Sequence, residues 1–60
     1  MTTKEIKKAI DRDGKTVVLR DDPQCRICQD FFGSLVVVSM RAGEPDRLAT
    51  LSDKRQAIIQ

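Results

Sequence analysis

Residues 21–40, DDPQCRICQDFFGSLVVVSM, carry the reading on which the fold turns. The second half is the plainer one. From Leu35 to Met40 two sets alternate, Leu35, Val37, Ser39 and Val36, Val38, Met40, and both are largely apolar. A strand with two apolar faces expects cover on both. In a chain of 60 residues that cover has to come from the few remaining elements or from a second subunit. The first half reads as a helix. Asp22 suits a cap, and Pro23 suits a first helical residue. A helix from Pro23 to Phe32, ended by Gly33, sets Cys25, Cys28 and Phe32 on one face with Ile27 and Phe31 beside them.

Upstream, Lys15-Thr16-Val17-Val18-Leu19-Arg20 is short and β-branched, which predicts a strand. Before it, Thr2-Thr3-Lys4-Glu5 has the spacing of a capping box. Ile6, Ala9 and Ile10 follow at helical intervals, and Gly14 suits a left-handed stop, so a helix is expected over about residues 3–12. Downstream, residues 42–46 form a turn. Two readings then compete. Residues 47–52 can pair with the 35–41 strand as a hairpin, with Ser52 capping a last helix from Asp53 to Ile59. Alternatively Asp46 opens a helix carrying Leu48, Leu51 and Ile58. The hairpin followed by a short helix is the favoured version. The expected fold is α+β: one domain over residues 1–60, two short helices packed on a two- to three-stranded sheet, with a third short helix as an option at the C-terminus.

Composition sets outer limits. The apolar fraction is 40%, which suits a globular chain rather than a disordered one. Eleven basic and nine acidic residues give a net charge of +2, without a charged tail to steer the chain onto nucleic acid. The longest aliphatic run, Leu35–Val38, is far too short to span a bilayer. The opening MTTKEIKKAI lacks the apolar stretch of a signal peptide, so a cytoplasmic location with reduced thiols is expected. Histidine is absent. That removes the usual general base near neutral pH, the commonest metal ligand, and any Ser-His or Cys-His nucleophile pair.

The spacing Cys25-Arg26-Ile27-Cys28 is the chemically suggestive element. At a helix N-terminus, free N–H groups and the dipole would stabilise a thiolate, with Arg26 adding positive charge. Val17-Val18-Leu19 followed by Pro23, Cys25 and Cys28 resembles the thioredoxin and glutaredoxin redox motif. That resemblance implies Cys25 as attacking thiolate and Cys28 as resolving thiol; the family's cis-proline strand has no counterpart here. Pro23 to Met40 is also similar to the two-cysteine half of a zinc nucleotide deaminase, but the upstream ligand and glutamate of that family are missing. Cys25-Arg26-Ile27-Cys28-Gln29-Asp30-Phe31 resembles the opening of a RING finger, whose zinc sites need more ligands than two cysteines. The chain is assigned to none of the three. The thiols remain open between small core hydrophobes, a redox pair, and half of a zinc site shared between two subunits.

Other features point to surface function. Lys4, Lys8 and Arg12 form one i, i+4 row, with Lys7 alongside, either as a solvated face or as a contact for phosphate or an acidic protein. Phe31 and Phe32 are expected in the core. The aspartate pairs sit at turns, where capping explains them. The expected function is a small non-enzymatic binding or regulatory protein of the kind carried by phages or mobile elements. It would act through a protein partner, using the basic row and any apolar face left by the 35–40 strand. Nucleic acid is the less favoured partner, a membrane is not expected, and a homodimer is compatible with the apolar strand. No cofactor is expected beyond that shared zinc.

Overall fold

The computed structural model describes residues 1–60. Its elements run α1 (Thr3–Asp11), β1 (Val17–Leu19), β2 (Cys25–Gln29), β3 (Leu35–Ser39), β4 (Arg47–Leu48), α2 (Leu51–Gln56) and β5 (Ala57–Ile59). The five strands form one sheet in the order β4-β3-β2-β1-β5, and every neighbouring pair is antiparallel. The α+β class and the first helix agree with the expectation; the helix expected over 23–32 is absent, and the second helix lies instead near the C-terminus. The sheet is larger than the two or three strands anticipated.

The first helix forms as its sequence dictates. The Thr2 hydroxyl accepts from the Glu5 N–H at 3.1 Å, and Glu5 Oε1 accepts from the Thr2 N–H at 2.9 Å, so both orphan donors are satisfied. Gly14, at φ 60°, reverses the chain after the helix, and the Lys15 N–H donates to the Ala9 carbonyl at 2.8 Å. Ile6 and Ala9 are the buried stripe.

The register explains the core. Val17, Ile27 and Val37 lie side by side across β1, β2 and β3, and their neighbours Leu19, Cys25 and Leu35 fall on the same side by strand alternation. With Ala57 from β5 they meet Ile6 and Ala9 of α1 in one buried cluster. Each large aliphatic side chain buried there contributes about 1.5–3 kcal/mol. Helix α2 lies on the same side, because Arg47 of β4 points there to reach Asp53 of α2.

Four expectations are corrected. Residues 25–29, expected inside a helix over 23–32, are the middle strand. The Asp22-Pro23 pair opens a turn instead, in which the Cys25 N–H donates to the Asp22 carbonyl at 2.9 Å. Pairing with β1 and β3 satisfies backbone groups that a helix here would leave on two open sheet edges. Second, the 47–52 strand shrinks to Arg47–Leu48, and the last helix starts at Leu51 because Thr50, not Ser52, is the cap. Third, Ala57–Ile59 leaves that helix to become β5, pairing with β1. Fourth, Phe31 and Phe32 lie outside the core, 98% and 88% exposed.

Candidate protein-binding surfaces

Cys25 and Cys28 stand three residues apart on β2. An odd separation on a strand sends two side chains to opposite faces, about 10 Å apart along the chain. Cys25 belongs to the buried cluster, where its thiol donates to Asp22 Oδ2 at 3.4 Å. Burial first, and then the Asp22 carboxylate, push its pKa above the ordinary thiol value. Asp22 is itself held by Arg41 through paired hydrogen bonds of 2.9 Å, which keep its carboxyl below the usual range. Cys28 is half-buried on the other face. The structure therefore does not bring the two thiols together, and neither sits at a helix N-terminus. No group of three or more Cys, Asp or Glu side chains converges as a metal site would require.

The second face of the sheet has no helix over it. Register and alternation place Cys28, Val36 and Leu48 in one row across it, and Val38, Arg26, Val18 and Ile58 in the next. Met40 extends this face past the end of β3, where its N–H donates to the Gln24 carbonyl at 3.0 Å. Cover is uneven along the face. Val18 is buried between Arg26 and Ile58, whereas Leu48 is 68% and Met40 61% exposed. The apolar face that the 35–40 sequence implied is thus present, and it is left open chiefly at β3 and β4.

A second apolar feature is the turn between β2 and β3. The Asp30 carboxylate accepts from the N–H of Phe32 at 2.9 Å and of Ser34 at 2.8 Å. Gly33 takes φ 83°, and its N–H returns to the Asp30 carbonyl at 3.1 Å. These bonds fix a tight tip from which both phenyl rings project, edge to face, with centroids 5.8 Å apart. Periodicity assigned these rings to a helix face. The signal that could have placed them was Asp30 three residues before Gly33, a hairpin-turn pattern between two apolar runs.

The basic row is arranged as expected along α1. Lys4, Lys8 and Arg12 are exposed, Lys7 is half-buried, and none of the four takes part in an ion pair. Where α1 and α2 meet, an open groove of about 480 Å³ is lined by Met1, Thr2, Thr3, Glu5, Leu51, Lys54 and Arg55. Two of its polar groups are already engaged: Glu5 in the capping box, and the Met1 amino group on the Lys54 carbonyl at 2.7 Å. No helix is long and apolar enough to cross a membrane. Compared with known proteins, the chain matches no family model, no curated protein and no solved structure.

Proposed function

We propose that this is a small non-enzymatic protein that acts by binding another protein, and that Phe31 and Phe32 are its anchor. The observation that carries this reading is the near-complete exposure of two adjacent phenyl rings on a turn that Asp30 and Gly33 hold rigid. Exposed aromatic side chains lose little conformational entropy on docking and bury a large area, which is why such residues dominate binding energy at interfaces. A regulatory role through the partner fits a protein whose chemistry-bearing side chains are dispersed. Lys4, Lys7, Lys8 and Arg12 offer a secondary contact for acidic groups on that partner, contributing to association rate more than to affinity.

The test uses the double variant Phe31→Ser/Phe32→Ser beside the wild type as bait in extract of the source organism. The protein retained by the wild type is then purified, and its affinity for both forms is measured. The reading expects at least about a hundredfold loss in the variant, since two anchor residues each worth about 2 kcal/mol are removed. Equal affinity for the two forms would reject it.

A further inference from the structure

We propose that the open face of the sheet takes a second copy of this chain, packed β3 against β3 about a two-fold axis parallel to the strands. The unevenness of cover locates the axis. At the β1 and β5 side the face covers itself, Val18 being buried beneath its neighbours. At β3 and β4, Val36 and Val38 are half-exposed, and Leu48 and Met40 are mostly exposed. An axis along β3 lays Val36 and Val38 on their own mates and sets β4 of each copy over β2 of the other. Leu48 then meets Cys28 of the second copy.

Charge supports the same axis. Arg26 is the charged residue at the middle of the face, and it has no ion-pair partner within the chain. Arg47 points to the helix side, and continuing the strand alternation one residue before β4 sets the exposed Asp46 toward the open side, level with Val38 and Arg26. Asp46 and Arg26 stand two inter-strand spacings apart with β3 between them, and they form no ion pair within one copy. Rotation about β3 exchanges the two positions. Arg26 of each copy then faces Asp46 of the other, across the roughly 10 Å that separates packed sheets. An axis along β2 would instead oppose Arg26 to its own mate and leave two like charges desolvated.

The contact patch is three strands wide and about five residues long, roughly 14 by 17 Å in projection. A standard interface buries about 800 Å² per partner, so this dimer is a weak one that forms in a concentration-dependent manner. The axis runs along the strands and therefore keeps both 30–33 turns at one end, where the four phenyl rings of the two copies form a single apolar surface. The proposal stands independently of the reading of those rings as an anchor.

Sedimentation velocity and native mass spectrometry over a micromolar to millimolar series test it. Wild type is expected to pass from monomer to dimer. Arg26→Asp and Asp46→Arg, both at exposed positions, each weaken self-association by about tenfold or more, and the double variant Arg26→Asp/Asp46→Arg restores it. Circular dichroism checks that all three variants keep the fold. A protein that stays monomeric throughout overturns the proposal. So does a dimer indifferent to the single reversals, or one that both singles break and the double does not repair. None of these outcomes bears on the anchor reading, because no variant touches the 30–33 turn.

Discussion

Cys25 and Cys28 share a five-residue strand yet face opposite sides of the sheet, one in the core and one at the open surface. Their reactivities should therefore separate. Burial and the Asp22 hydrogen bond keep Cys25 protonated, so its alkylation waits on opening of the structure. One thiol should react with maleimide promptly in native buffer, and the other about a hundredfold more slowly or only in urea. Peptide mapping should assign the fast site to Cys28. A disulfide needs Cα atoms within about 7 Å, which this strand does not provide, so mild oxidants should leave no intrachain disulfide. Rapid loss of both thiols together would contradict the strand assignment.

Asp53 joins the two crossing elements at the end of the chain. It takes paired hydrogen bonds from Arg47 at 2.6 and 3.0 Å while closing the capping box with Thr50. Its carboxylate is nearly buried, so removing it leaves the guanidinium and a helix cap without their acceptor. Asp53→Ala should lower stability by about 1–3 kcal/mol in urea unfolding. The Arg47 bonds also hold the folded-state pKa of Asp53 well below its ordinary 3.8. As pH falls through that ordinary value the unfolded chain takes up a proton that the folded chain refuses, so stability is lost. Urea midpoints should be level with respect to Asp53 from neutral pH to about pH 5 and fall below about pH 4, with Asp53→Asn showing a shallower fall.

How much of this was legible beforehand depended on whether an element's signals were local. Helix α1 was readable because Thr2, Glu5 and Gly14 act within the helix itself. Strands β1 and β3 were readable because β-branched residues outnumber all others in them. Strand β2 was not. Asp22 and Pro23 imitate a helix start, and Cys25, Cys28 and Phe32 recur at helical intervals. Only the need of β1 and β3 for a shared neighbour decides for a strand, and that need is tertiary. Strand β5, three residues long after a capped helix, is likewise defined by its partner β1. Of the candidate site, the open apolar face followed from the alternation of residues 35–40. The phenylalanine tip did not, because it exists only once β2 is a strand.

If β2 is the central strand, truncating its one fully buried aliphatic residue should be severe. Ile27 is 2% exposed and flanked in register by Val17 and Val37. Ile27→Ala should cost about 2–5 kcal/mol through lost burial and the cavity left behind, enough to threaten folding in a domain of this size. Ile27→Val should cost about 0.5–1.5 kcal/mol and keep the fold, which gives a measurable member of the pair. On the open face of the sheet, where a one-residue slip of register would put it, both changes would be close to neutral in chemical denaturation.

In the 30–33 turn, the residues that shape the backbone and the two rings that project from it should respond differently to mutation. Asp30→Ala removes the acceptor of the Phe32 and Ser34 N–H groups, and Gly33→Ala forces a side chain into φ 83°. Each should cost about 0.5–2 kcal/mol of stability. Phe31→Ser and Phe32→Ser remove side chains that touch little besides each other. Their unfolding midpoints should lie within about 0.5 kcal/mol of wild type, and their solubility should rise as an exposed apolar patch is removed. The contrast is what the proposed binding role requires: side chains that the fold can lose at little cost, held in place by residues that it needs. A large stability loss in the phenylalanine variants would instead mean that the rings pack against the body of the protein.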